Sequence, residues 1–137
     1  MSSFKLKIMS PDGIFYDGDA YQLSLRSVDG EVSILAGHIP YLTAVGIGEC
    51  RLYEQSGEKP RRAACCGGML SVDDEGVLLA PTTFEWAKDI DIERAKAAKT
   101  KAEQRLAEPT SSAKKGMAKL KLQRANLRIS IAEKERS

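Results

Sequence analysis

Asp91-Ile92-Glu93-Arg94-Ala95-Lys96-Ala97-Ala98-Lys99-Thr100-Lys101-Ala102-Glu103-Gln104-Arg105-Leu106 places Ala95, Ala98, Ala102 and Leu106 at the spacing of one helix face. Lys96, Lys99, Lys101, Glu103 and Arg105 fill the other positions, so this helix is expected to be solvated on one side and packed on the other. Asp91 stands where an N-cap belongs, and Glu93 falls in the first turn, where the helix dipole favours an acid. Downstream, Pro109 and the Ser111-Ser112 pair interrupt the period. A second periodic stretch follows, with Met117, Leu120, Leu122, Ala125, Leu127, Ile129 and Ile131. The two stretches predict a helical hairpin in which small alanines admit a close neighbour. Two helices alone bury little surface against a backbone entropy cost of roughly 1–2 kcal/mol per residue. The hairpin is therefore expected to depend on what it docks against.

Upstream of Asp91 the period is different. Phe4-Lys5-Leu6-Lys7-Ile8 alternates apolar and charged side chains, as a pleated strand with one buried face does, and Pro11-Asp12-Gly13 ends it as a turn. Short apolar or alternating stretches recur at 21–28, 31–35, 47–53, 62–66, 69–72 and 77–80, with glycines between nearly all of them. No helix of crossover length intervenes, which favours antiparallel pairing. The expected fold class is mixed, β then α: an N-terminal antiparallel β-sandwich over residues 1–84 and a C-terminal two-helix hairpin over 85–137.

Charge divides at the same place. Residues 1–84 hold 7 Lys/Arg and 11 Asp/Glu, a net of −4, whereas residues 85–137 hold 14 and 8, a net of +6. The whole-chain value of +2 conceals an acidic body and a basic arm. At 137 residues the chain excludes a large multidomain enzyme. Its longest apolar run, Val77 to Ala80, is far below the roughly 20 residues that span a bilayer. No leader pattern opens the chain, so it is expected to be neither membrane-spanning nor secreted.

Site chemistry is sparse. His38 is the only histidine, which excludes a paired-histidine metal site, and no nucleophile elbow, Walker loop or dinucleotide-binding glycine turn occurs. Catalysis within this chain and a bound metal are not expected. Cys50, Cys65 and Cys66 form no C-x-x-C pair, and adjacent strand residues point to opposite faces, so they read as small buried groups. A basic helical hairpin makes a small nucleic-acid-binding module the alternative function. Against nucleic acid stand the interspersed acids and the single aromatic, Trp86, available for stacking; no nucleic-acid partner is expected.

The stretch Asp29-Gly30-Glu31-Val32-Ser33-Ile34-Leu35-Ala36-Gly37-His38-Ile39-Pro40-Tyr41-Leu42-Thr43-Ala44 resembles the signature of the epsilon subunit of bacterial F-type ATP synthase. Ser10-Pro11-Asp12-Gly13-Ile14-Phe15, the Gly67-Gly68 pair and Asp89-Ile90-Asp91-Ile92-Glu93-Arg94-Ala95 extend the likeness over practically the whole chain. Ser33, Ala36, Ile39 and Tyr41 depart from the residues usual in that family. The resemblance implies a non-catalytic central-stalk subunit of a proton-translocating complex. Its sandwich would bind the gamma subunit and rest on the c-subunit ring, with Glu31 and His38 as rotor-ring contacts. The hairpin would switch between a compact state and an extended state that reaches the catalytic alpha/beta hexamer and inhibits ATP hydrolysis. Membrane association, peripheral on the cytoplasmic side of a bacterial cell membrane, would come through the complex only.

The same resemblance implies no obligatory cofactor but ATP as a regulatory ligand, at Glu85, Ile90, Asp91, Arg94, Ala95, Lys101, Arg124 and Arg128. Arg124 and Arg128, at i and i+4, share a helix face and would clamp phosphates. Lys101 keeps the charge of an arginine without its planar fork. The other reading of these residues is structural, with Asp91 as a helix cap and the arginines solvated or paired; both stand at the level of sequence.

Overall fold

A computed structural model describes residues 2–136 as two compact units that divide after Trp86. The first is a β-sandwich of ten strands, β1(Phe4–Ser10), β2(Gly13–Ala20), β3(Gln22–Ser27), β4(Gly30–Leu35), β5(Tyr41–Ala44), β6(Ile47–Tyr53), β7(Arg61–Cys66), β8(Met69–Asp73), β9(Gly76–Ala80) and β10(Thr83–Trp86). One sheet runs β2-β1-β9-β8-β5 and the other β10-β7-β6-β3-β4. Alternation explains the layers: Leu6 and Ile8 of β1, Leu23 and Leu25 of β3, Leu52 of β6 and Leu79 of β9 all turn inward and are fully buried. Pairing is antiparallel except between β1 and β9, which run parallel with Leu6 opposite Val77.

Three strands lie outside the sequence expectation. β2 contains Asp17, Gly18 and Asp19, residues depleted in strands, and it survives as an edge strand paired only with β1. β5 and β10 are four residues each and also occupy sheet edges, so neither leaves a readable alternation. Aromatic rings close the sandwich beside β10: Phe15 of β2 lies 5.0 Å from Phe84, and Phe84 meets Trp86 edge-on at 4.9 Å. The Trp86 indole donates to the Phe15 carbonyl at 3.3 Å, and the Arg61 guanidinium sits 4.1 Å above the Trp86 ring.

The second unit begins with a single 3-10 turn, Ala87–Asp89, followed by α1(Ile92–Ala107) and α2(Ser112–Arg136). Asp91 caps α1, its carboxylate accepting from the Arg94 amide at 3.1 Å. Alanines, more than the large apolar residues, are shut in. Ala95 and Ala102 on α1 and Ala118, Ala125 and Ala132 on α2 are buried at seven-residue steps, while Met117 and Leu120 are exposed. Equal steps on two antiparallel helices keep Ala102 level with Ala125 and Ala95 level with Ala132, the seam of a closely approached pair.

Gly68 shows how tightly the sandwich is tied. Its φ is +102°, and a Cβ there would lie 2.1 Å from the Ala80 carbonyl oxygen. The Gly68 carbonyl also accepts from the Val45 amide at 2.9 Å. Gly68→Ala is expected to destabilise the sandwich by about 2 kcal/mol or more, read as a lowered midpoint in urea unfolding followed by Trp86 fluorescence.

Candidate functional site

The helical unit carries the densest charge. Lys101 and Arg105 on α1, and Lys121, Arg124 and Arg128 on α2, line one cleft of about 320 Å³ floored by Ala98, Ala102 and Ala125. The small floor residues give the cleft its depth, and helical spacing aims the cations at it: Lys101 and Arg105 are i, i+4, Lys121 and Arg124 are i, i+3, and Arg124 and Arg128 are i, i+4. No carboxylate lines it. Each such like-charge pair disfavours an isolated helix by roughly 0.2–0.5 kcal/mol, so an anion bound here would remove a standing repulsion. The buried Nε of Arg124 has no hydrogen-bond partner among the described residues. Chemically the arrangement can hold a multivalent anion, and Arg124 and Arg128 can each present a planar fork to phosphate oxygens.

Three of the expected nucleotide residues, Lys101, Arg124 and Arg128, therefore meet in one place. Arg105 and Lys121 join them without having been singled out; the i, i+4 rule applied forward from Lys101, and the i, i+3 rule applied back from Arg124, would have found both. Ile90, Asp91, Arg94 and Ala95 lie at the start of α1, where Ile90 and Ala95 are buried and Asp91 serves as the cap. Arg94 is about 10 Å along the helix axis from Lys101. Glu85 belongs to β10, in register with Ala64 of β7, and is half-buried within the sandwich unit.

Glu31 and His38 do not come together. Glu31 lies one residue from the β3–β4 turn and His38 lies beyond Leu35, so the length of β4 separates them. The Glu31 carboxylate pairs with Arg51, which also reaches Glu49 at 3.1 Å; Arg62 reaches the same Glu49 oxygen at 2.7 Å. His38 accepts a turn geometry in which its amide donates to the Leu35 carbonyl at 3.2 Å, its Nδ1 lies 2.7 Å from the Ile39 carbonyl oxygen, and its ring tilts against Tyr41 at 5.8 Å. The end of the sandwich beside Glu31 is braced by backbone hydrogen bonds from Val28 to Ala44 and from Gly46 to Arg26. On the outer face of the first sheet, Leu42, Ser71 and Leu78 stand in register, and Met9, Ile14, Leu42, Met69 and Leu78 are exposed. Contiguous exposed apolar residues of this kind mark contact surfaces.

The cysteines are not part of any such surface. Cys50 is fully buried and its thiol is pushed well up by burial; burial likewise pushes the Cys65 thiol up to about 12. Such thiols stay protonated at neutral pH and are poor nucleophiles. No cluster of three or more His, Cys, Asp or Glu fit to hold a metal occurs among the described residues.

With these surfaces in view, the relatives of the chain are informative. The family described as ATP synthase, Delta/Epsilon chain, beta-sandwich domain matches residues 3–87, and ATP synthase, Delta/Epsilon chain, long alpha-helix domain matches 88–133. ATP synthase epsilon chains from Ruminococcus albus (36% identical, 98% of this chain, 100% of the relative) and Bacillus velezensis (39%, 96% and 98%) align over nearly their full length. That of Caldicellulosiruptor saccharolyticus is 40% identical over 77% of this chain and 76% of its own. The chain belongs to the family of ATP synthase epsilon chains, non-catalytic subunits of that complex. The fold is also similar to chains in the Euglena gracilis mitochondrial ATP synthase OSCP/F1/c-ring (TM-score 0.79, 20% identity, 92% of this chain and 79% of that one) and the Tetrahymena thermophila mitochondrial ATP synthase central stalk/c-ring (0.63, 12%, 93% and 95%).

The raised Cys65 thiol makes a pH prediction. A thiol that ionises near 9 when unfolded but only near 12 when folded contributes stability that is fully present below pH 9 and lost as the pH rises toward 12, because the unfolded state releases its proton first. Urea unfolding of the wild type between pH 8 and pH 10.5 is expected to lose stability more steeply than that of Cys65→Ala, with the two curves parallel below the lower of these limits.

Proposed function

We propose that this epsilon chain is a coupling and regulatory subunit. Its sandwich binds the gamma subunit and the c-subunit ring and passes rotation between them. Its hairpin alternates between a compact state and an extended state that reaches the catalytic alpha/beta hexamer and impedes ATP hydrolysis. ATP binds the compact hairpin and holds it there. Ion movement through the complex, with protons as the carried ion, takes place in other chains, and the subunit stays peripheral to the membrane through its partners.

The observation that carries this reading is the cleft in which Lys101, Arg124 and Arg128 converge with Arg105 and Lys121. A ligand that binds one state only shifts the population by its differential affinity, and a cleft that needs both helices side by side supplies that difference. The apolar outer face of the first sheet supports docking on gamma. The braced Val28–Glu31 end supports a ring contact through Glu31; His38, expected to share that role, lies beyond the far end of β4.

Two measurements test it. Isothermal titration of the full chain with MgATP is expected to show saturable binding below millimolar ligand, weakened at least about tenfold by Arg124→Ala, since a charge-assisted contact is worth about 1.5–3 kcal/mol. No heat at millimolar ATP would refute the nucleotide part. In the assembled complex, removing residues 88–137 is expected to retain gamma binding and to raise ATPase activity; unchanged activity would refute the inhibitory switch.

A further inference from the structure

The cationic cleft does not end where a nucleotide would. Toward the loop that joins the helices it opens into a second cleft of about 380 Å³, lined by Arg105, Lys114, Lys121, Thr110, Met117 and Glu108 among others. Arg105 and Lys121 line both, so the two are continuous along the hairpin. From Lys114 to Arg128 the cations of α2 extend over about 21 Å of helix axis, with Lys101 and Arg105 opposing them from α1. Against six basic residues the groove sets one carboxylate, Glu108.

Two features distinguish this groove from an ordinary solvated face. Like charges are stacked at i, i+4 on both helices, Lys101 with Arg105 and Arg124 with Arg128. The first cleft is floored by alanines, which add depth but no hydrogen-bonding groups, and in the second Thr110 adds a single hydroxyl, too little to read a base or a peptide. Aromatic side chains, on which nucleobases stack, are absent from both linings. Such a surface recognises repeated negative charge on a thin, unbranched chain.

We infer that the groove between α1 and α2 binds a linear polyphosphate chain longer than a triphosphate, with Lys114, Arg105 and Lys121 forming a second phosphate subsite beyond Arg124 and Arg128. The inference rests on reading the first cleft as a phosphate site. Polyphosphate then competes with ATP for the shared cations and stabilises the hairpin by neutralising the same repulsions. Glu108 opposes the chain at the loop end and limits its affinity.

Titration of the full chain with ATP, inorganic tripolyphosphate, and a linear inorganic polyphosphate long enough to span both clefts tests this. Longer polyphosphate is expected to bind more tightly than tripolyphosphate and to displace ATP. Lys114→Ala is expected to weaken the longer chain about fivefold and to reduce the steepness of its salt dependence by about one, leaving ATP affinity unchanged. Glu108→Gln is expected to tighten the longer chain only. Equal affinity for tripolyphosphate and the longer chain would overturn the second subsite while leaving the ATP site standing. Absence of binding by ATP and tripolyphosphate alike would overturn the first site and this inference with it. Equal binding of an oligothymidylate of matched charge would assign the groove to nucleic acid and overturn the polyphosphate assignment.

Discussion

Close approach of α1 and α2 is the constraint on which the helical unit depends, and alanine makes it possible. Ala95, Ala102, Ala118, Ala125 and Ala132 leave the helix axes nearer than leucines would allow. That nearness brings Lys101 and Arg105 across from Lys121, Arg124 and Arg128. The same packing that contributes little apolar burial per residue therefore imposes the strongest charge repulsion in the unit. Weak cohesion and converging like charge combine in one element, which is the physical condition for a hairpin whose state is set by what binds it.

The sandwich is organised the other way. Its interior is filled by branched aliphatic side chains from both sheets, and its edge beside β10 is closed by Phe15, Phe84 and Trp86. Three of its arginines are satisfied internally: Arg51 and Arg62 share Glu49, and Arg61 lies between Glu54 and the Trp86 ring. Arginines of the first unit meet acids, whereas in the second unit five cations converge on one cleft.

Two periods, alternate residues and 3.6 residues, meet near Asp91 and lead to an expected break after residue 84, whereas β10 carries the first unit on to Trp86. Asp91 itself was readable as a cap, since only local backbone donors are involved. β2, β5 and β10 were not readable, because β2 carries Asp17, Gly18 and Asp19 and the other two are only four residues long, lengths and residues that an edge position tolerates. Lys101, Arg124 and Arg128 were visible through family likeness, and Arg105 and Lys121 became visible once both helices had a common cleft. Glu31 and His38 were also singled out through family likeness, and six residues of strand and loop place them at opposite ends of β4. The apolar period of α2 misled in part: Ala125 and Ile131 are enclosed as it implies, but Met117 and Leu120 are exposed and Ala118 and Ala132 are shut in beside them.

The parallel pairing of β1 with β9 has a consequence for how the chain is made. β1 lies between β2 and β9 in the first sheet, so its inner neighbour is a strand about seventy residues later in the chain. A ribosome delivering the chain from its N-terminus must release β9 before that sheet can complete, leaving β1 and β2 as an isolated hairpin of marginal stability until then. Contacts this distant in sequence are slow to form. β9 and β10 precede α1 directly in the chain, so the sandwich acquires its final surface no earlier than the moment at which the basic arm begins to emerge.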